Sequence, residues 1–253
     1  LAQVTSTCVF FGYFLTHRER LRVGRFKLDL AAYRRILPLG LSEGLNELSN
    51  GLVIFLFNHT ILRVIGEGAL ASYTIISYVN TLVLMTMTGT AQGMQPLVSF
   101  HLGAGERKNC HRLLKYGVSL IAAFSVVSFA LGELGAPAIV SAFLPTDSAV
   151  FSYSISALRM YSSSFLVLGF NVIFAAFFTA VERPVFAFSI SFGRSLVLLV
   201  ASLLILSSLF GDKGIWFSTL CSELLCLCLT AFCAWRYFRS HRHENPLPAA
   251  EQV

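Results

Sequence analysis

Charged side chains are scarce in this sequence. They make up 13% of its 253 residues, against about 25% in a typical soluble domain. Hydrophobic residues make up 55%, and the mean hydropathy is +0.70. A soluble core has no use for so much apolar surface, so the shortage of charge excludes an ordinary soluble domain and predicts a multi-pass membrane protein.

Paired cysteine motifs and a signal peptide are also missing. The six cysteines lie mostly in or beside apolar segments without zinc-type spacing, so we expect reduced, small hydrophobic side chains and no metal site. The apolar start has neither a charged leading region nor a cleavage site. We therefore expect residues 1–16 to be the end of a membrane helix that begins outside this sequence.

Long apolar runs are what the sequence has instead. A helix needs about 20 apolar residues to cross the hydrocarbon of a bilayer. Besides the partial span at 1–16, hydropathy predicts six full spans at about 36–62, 69–100, 113–135, 150–180, 185–210 and 214–238. The predicted fold class is thus all-α, a polytopic transmembrane helix bundle with six full spans plus one partial N-terminal span.

The basic residues are distributed unevenly between the connections. Fifteen lie in the first, third and fifth loops and at the C-terminus, whereas the intervening loops contain only Arg63 and Lys213. By the positive-inside rule the C-terminus is then cytoplasmic, and we expect a multi-pass protein of the cell (plasma) membrane. The net charge of +6 follows from this topology, so we expect the lipid bilayer and no nucleic acid as a partner.

Two carboxylates, Glu43 and Glu47, lie inside the predicted span 36–62. A charge at the centre of a membrane helix costs about 2.5–3.5 kcal/mol, so such groups usually face protein or a water-filled cavity. At about 100° per residue the polar side chains share an arc of roughly 160°. That arc is formed by Ser42, Glu43, Asn46, Glu47, Ser49 and Asn50. It indicates either a cation- or proton-binding face or a polar seam between helices.

Other polar residues inside predicted spans are weaker candidates for a substrate- or cation-binding site. Asn80, Gln92 and Asn171 are equally suited to a structural hydrogen bond between helices. Arg194 is expected either to reach the interface or to pair with a carboxylate, for which Glu223 is the candidate. Tyr78 is one of several rings, with Phe55, Phe57 and Tyr73, suited to an organic cation.

Four stretches resemble the C-terminal half of the multidrug and toxic compound extrusion (MATE) family. They are LPLGLSEGLNELSNGLVIFLFN (37–58), GTAQGMQPLVSFHLGAGE (89–106), FFTAVERPVFAFSISFGR (177–194) and GIWFSTLCSELL (214–225). The resemblance implies one lobe of a two-lobe transporter that exports organic, often cationic, compounds in exchange for sodium or protons. The coupling ion is transported, and no cofactor is expected.

The resemblance also implies an organisation of the chain. Residues 17–35 would be a basic cytoplasmic loop between the lobes, 36–240 the six-helix C-terminal lobe, and 241–253 a disordered cytoplasmic tail. The N-terminal lobe would be a missing partner from the same protein. Glu47 best matches the acidic residue of the family's seventh helix, and Glu43 is an additional carboxylate. One branch has a further acid on its tenth helix, whereas residues 151–180 contain none.

Other classes of function remain open at this point. A lipid-linked precursor flippase of related fold would favour a strongly cationic cavity, whereas the charges inside these spans are mostly acidic. An intramembrane enzyme would need a nucleophile and base, or metal ligands, at one depth, and His59 and His101 stand in no such pattern, so we expect no enzyme. A non-transporting membrane fragment is the third alternative.

Overall fold

The computed structural model describes residues 2–16 and 48–240, and each regular element in those ranges is a helix. The chain divides into two compact units, Leu1–Gly44 and Leu45–Val253. Within the first unit, α1 comprises Ala2–Thr16, and its rings at Phe10 and Phe11 are exposed, which suits contact with lipid. Glu43, Asn46 and Glu47 lie outside the described residues.

The second unit is a helical bundle. Its helices are α2 (Leu48–Val64), α3 (Gly68–Gly103), α4 (Arg107–Leu134), α5 (Ala136–Ser141), α6 (Phe151–Ser162), α7 (Phe165–Ala180), α8 (Pro184–Phe192), α9 (Leu198–Phe210) and α10 (Asp212–Ser240). Within residues 2–16 and 48–240, four spans are long and apolar enough to cross a membrane, and α6 with α7 makes a fifth if the bent pair is one span. The all-α membrane bundle expected from the sequence is therefore confirmed, with the span predicted at 36–62 described from Leu48 onward.

The predicted span 150–180 is broken rather than continuous. Its two helices, α6 and α7, meet at an angle of 42°. The break lies within three consecutive serines, 162–164, of which Ser162 and Ser163 donate through Oγ to the backbone oxygens of Arg159 (2.8 Å) and Met160 (2.6 Å). Serine hydroxyls bonded to the preceding turn compete with the helical ladder and bend helices, so the serines account for the break.

The predicted span 185–210 contains a change of helix type. Pro184 begins α8 at a position where its missing N–H is no loss. Between α8 and α9, Gly193–Val197 form a single π-helical turn, which is wider than an α-turn. Such turns are rare and occur often at functional sites. This one contains Arg194 and Ser195.

Two buried hydrophobic clusters occupy opposite ends of the bundle. Along α10, Trp216 belongs to one cluster and Cys226 to the other. Close contact at Gly169 of α7 helps to hold the bundle together: a Cβ there would lie 2.6 Å from Cγ2 of Ile121 and 2.8 Å from Sδ of Met87. Small residues permit this approach between membrane helices. On α10, Glu223 lies between Trp216 and Cys226 and therefore between the two clusters.

Candidate functional site

Glu223 of α10 is a carboxylate buried inside the helical bundle, with a residue exposure of 4%. Both of its carboxylate oxygens have partners. Nη1 of Arg194 lies 3.2 Å from Oε1, and Nδ2 of Asn171 donates to Oε2 over 2.8 Å. A buried charge is tolerated when it is paired and hydrogen-bonded, and Glu223 satisfies both conditions.

Asn171 of α7 is itself fixed by further hydrogen bonds. Its Nδ2 also donates to the backbone oxygen of Glu223 over 3.0 Å, and its Oδ1 accepts from Oγ1 of Thr230 at 2.9 Å. Asn171 and Thr230 are both fully buried, at 0% and 1% exposure. With its amide oxygen taken by Thr230, Asn171 is held with its amide N–H groups towards Glu223.

The sequence brings these four side chains together by local rules. Glu223 and Thr230 are seven residues apart, so they share one face of α10. Asn171 lies near the middle of α7, which packs against that helix. Arg194 stands in the π-helical turn between α8 and α9. The resulting polar network joins three spans.

Two members of the polar network, Arg194 and Glu223, line a cavity of about 550 Å³. A cavity of this size is in the range that holds a drug-sized molecule. Its rings include Tyr73, stacked on Phe57 at 5.3 Å between centroids, and Tyr78, stacked on Phe143 at 6.0 Å. The described residues that line it include Asn50, Val53, Phe57, Asn58, Tyr73, Ser77, Tyr78, Asn80, Tyr161, Arg194, Ser195, Leu199, Thr219 and Glu223.

The cavity brings together several of the residues singled out from the sequence. Those that line it are Asn50, Asn80, Tyr78, Arg194 and Glu223. Asn171 holds the Glu223 carboxylate. Gln92 is exposed and is not among the described lining residues. Glu43, Asn46 and Glu47 lie outside the described residues, so their placement stays a prediction.

Of the two expectations for Arg194, pairing with a carboxylate is the one observed, and Glu223 is the partner. Two further groups escaped sequence reasoning. The sequence does contain a signal for Thr230, since it follows Glu223 by two helical turns and therefore lies on the same helix face. Ser195 has none, because the wide turn that brings it to the cavity is not visible in hydropathy.

A second cluster of polar side chains lies in the turn between α3 and α4. Nδ1 of His101 lies 2.6 Å from Oε2 of Glu106, and Nδ2 of Asn109 donates to the same oxygen over 2.7 Å. The Asn109 amide and then the His101 ring lower the pKa of the Glu106 carboxyl from its usual value. The cluster is exposed and ties the turn together.

Across residues 2–16 and 48–240, no group of three or more His, Cys, Asp or Glu side chains is placed to hold a metal ion.

Comparison with known proteins places this bundle among membrane transporters. The MatE family model matches residues 44–204. The multidrug export protein MepA of Staphylococcus haemolyticus is 24% identical over 207 residues, which cover 82% of this chain and 42% of that protein. The FAD transporter of Shewanella oneidensis is 22% identical, with coverage of 82% and 44%. The chain therefore spans less than half the length of these relatives.

Solved structures agree on the fold. An outward-facing multidrug resistance MATE family transporter of the MOP superfamily matches with a TM-score of 0.81 at 19% identity, over 95% of this chain and 55% of that one. An inward-facing structure described in the same words matches with a TM-score of 0.79 at 19% identity, over 87% and 51%. Since the family model covers more than half of the sequence, the chain belongs to the multidrug and toxic compound extrusion (MATE) family.

Proposed function

We propose that this chain is the C-terminal lobe of an antiporter that exports organic, often cationic, compounds in exchange for sodium or protons. The observation that carries the proposal is the buried pair of Glu223 and Arg194, which is held by Asn171 and lines a cavity within a membrane bundle. Ionisable groups inside membrane helices are costly and are retained mainly along substrate and ion pathways.

The cavity's aromatic surface supports an organic substrate. Tyr73 and Tyr78 both line it beside stacked ring partners, Phe57 and Phe143. Aromatic faces attract organic cations and stack on planar molecules. The names of the relatives, a multidrug export protein and an FAD transporter, point to organic cargo of varied chemistry.

The proposal for ion coupling depends on carboxylates. Glu223 is one, but its two oxygens are already engaged by Arg194 and Asn171. Glu47 and Glu43, on the polar face predicted at the start of the span 36–62, are the further candidates. A desolvated carboxylate binds a proton or a sodium ion in competition with a neighbouring cation, which is the chemistry that coupling needs.

A second lobe is part of the proposal, because the chain spans 42% and 44% of the lengths of the two relatives. That this lobe resembles both outward-facing and inward-facing transporters, with TM-scores of 0.81 and 0.79, supports a lobe that keeps its shape during transport. Two such lobes rocking about a central site would provide alternating access. We further propose that the C-terminus is cytoplasmic and that the protein lies in the cell membrane, which the uneven distribution of basic residues supports.

The test is efflux of ethidium from vesicles that contain the complete two-lobed transporter, with sodium and proton gradients imposed in turn. Ethidium efflux that depends on one gradient would establish export and identify the coupling ion. The Glu47→Gln variant should then lose most of that efflux at equal protein content, whereas Glu182→Gln, in the turn between α7 and α8, serves as the matched control. Gradient-independent or absent efflux would contradict the proposal.

A further inference from the structure

The exposed surface of α10 has a groove near the end of that helix. The described residues that line it are Phe232, Trp235, Arg236, Arg239 and Ser240. The first four follow one another at spacings that place them on one face of the helix. Phe232 and Trp235 are 53% and 56% exposed, and their rings lie 6.2 Å apart. Along α10 the groove therefore presents two apolar rings first and two arginines after them.

The groove lies at the depth of the lipid headgroups. With 29 residues, α10 is about 43 Å long, close to the thickness of a bilayer with both headgroup layers. Asp212 and Lys213 at its start belong in one headgroup layer, since charges avoid the hydrocarbon. About 20 residues cross the hydrocarbon, which therefore ends close to Cys233. Trp235 then lies at the opposite interface, where tryptophan is enriched, and the two arginines face the headgroups.

This end of the bundle also has an excess of positive charge. The start of α4 and the end of α7 meet the end of α10 there: the rings of His111 and Phe238 lie 5.2 Å apart, and those of Phe178 and Tyr237 lie 5.8 Å apart. The described charged residues of this end are Arg107, Lys108, Arg112, Lys115, Arg183, Arg236 and Arg239 against Glu106 and Glu182. Seven basic residues against two acidic ones attract anionic lipids to this side of the bundle.

The two arginines of the groove have donors for a phosphate. Cζ of Arg239 lies over the Trp235 ring, 5.1 Å from its centroid. This cation–π contact holds the guanidinium in place without an acceptor oxygen, so its N–H groups are left for another partner. In the described part of the chain, no carboxylate lies within ion-pair distance of Arg236 or Arg239. Two like charges three residues apart on a helix repel each other, and a phosphate between them relieves that repulsion.

From these observations we propose that the groove on α10 binds an anionic phospholipid of the surrounding leaflet. The phosphate lies between Arg236 and Arg239, and an acyl chain runs along Phe232 and Trp235. A zwitterionic phospholipid fits less well, because its ammonium group would be brought close to two guanidinium groups. This site goes beyond the proposed export and does not depend on it, since it requires only the membrane bundle.

The test is quenching of Trp235 fluorescence by phospholipids with brominated acyl chains. Of the two tryptophans in the sequence, Trp216 is fully buried, so Trp235 is the one that lipid can reach. The full-length protein is placed in phosphatidylcholine nanodiscs that contain a rising fraction of brominated phosphatidylglycerol or brominated phosphatidylcholine. The quenching that disappears in Trp235→Phe is assigned to Trp235.

We expect brominated phosphatidylglycerol to reach half of its maximal quenching of Trp235 at a mole fraction about tenfold lower than brominated phosphatidylcholine, because two arginines favour the anionic headgroup. Equal quenching by the two lipids would show an ordinary contact with the bilayer and would overturn the proposal. No quenching by either lipid would also overturn it, since the groove would then be covered by another part of the protein, such as residues 241–253.

The deciding variant is Arg236→Gln with Arg239→Gln, in which both substitutions are on the exposed surface. It should quench at mole fractions of the two lipids that agree within a factor of about two. The matched control is Arg112→Gln with Lys115→Gln, which removes two exposed charges from α4 at the same end of the bundle. This control should keep most of the preference for phosphatidylglycerol. An equal loss in the two double variants would show a diffuse attraction by the whole basic end and no site on α10.

Discussion

Among the described residues, two arginine–glutamate pairs bridge spans of the bundle, and their surroundings differ. Arg194 and Glu223 are 3.2 Å apart with side chains 21% and 5% exposed. Arg159 and Glu133 are 3.9 Å apart with side chains 45% and 44% exposed. The same two residue types thus form a buried, hydrogen-bonded pair in one place and a loose, half-exposed pair in the other.

The difference lies in what else each residue contacts. Glu223 has a second donor, Asn171, which completes its hydrogen bonding inside the bundle. Arg159 instead donates through Nε to the backbone oxygen of Glu133 over 3.0 Å, near the end of α4, where helical carbonyls lack a partner. The buried pair therefore lines a cavity, whereas the exposed pair supplies a hydrogen-bond donor to a carbonyl at the end of α4.

Arg194→Met should have the largest effect on stability. It leaves the Glu223 carboxylate buried with Asn171 alone, and breaking a buried pair in this way typically costs about 3–5 kcal/mol. The measurement is the free energy of unfolding in mixed detergent micelles, titrated with dodecyl sulfate. Arg194→Met with Glu223→Met removes both charges and should recover most of the loss; a single variant within about 1 kcal/mol of wild type would show the pair to be solvated.

Asn171→Leu should have the next largest effect. The substitution deprives Oε2 of Glu223 and the Thr230 hydroxyl of their partner, which costs about 1–3 kcal/mol for buried groups. The matched control is Asn58→Leu, since within the described part of the chain that amide bonds to the Ile54 oxygen of its own helix, and its loss should change stability by about 0.5 kcal/mol or less. Equal losses in the two variants would mean that the network adds nothing beyond an ordinary amide.

Arg159→Gln should be nearly neutral. Half-exposed pairs contribute about 0–1 kcal/mol, and glutamine retains a donor for the Glu133 carbonyl. The same unfolding titration measures the change in the free energy of unfolding. A loss as large as that of Arg194→Met would remove the distinction between the two pairs.

Glu106 extends the comparison to an exposed carboxylate, and its effect should be the smallest. Because its pKa is lowered by Asn109 and His101 from the usual 4.5, its contribution to stability is present above pH 4.5 and disappears as the pH falls through the lower folded value. The measurement is the difference in melting temperature between wild type and Glu106→Gln across that pH range. A difference that does not change with pH would show that the carboxylate's ionisation is irrelevant to the turn.

Hydropathy was enough to predict the bundle but not its interruptions. Spans such as Asp212–Ser240 are long and contain an apolar stretch of 18 residues with at most two charged side chains, which leaves little choice of structure. The bend after Ser162 and the wide turn at Gly193–Val197 depend on local hydrogen bonds that an average over many residues does not detect. The sequence therefore indicated which segments cross the membrane but not where they change direction.

The site was only partly predictable for a related reason. A charge inside an apolar span is visible in the sequence, so Arg194 and Glu223 could be proposed as partners. The sequence does not indicate that Asn171 would donate to the second carboxylate oxygen of Glu223, because the two residues are 52 positions apart in the chain.

The wide turn at Gly193–Val197 rotates the second half of the span 184–210 about the helix axis relative to the first half. An α-helix turns about 100° per residue, so one additional residue in a turn rotates everything after it by about that angle relative to everything before it. In agreement, α8 packs mainly on α7 whereas α9 packs mainly on α10. Deleting one residue of the turn would remove this rotation, so α8 and α9 would present the same helix face. The span could then no longer pack on both α7 and α10.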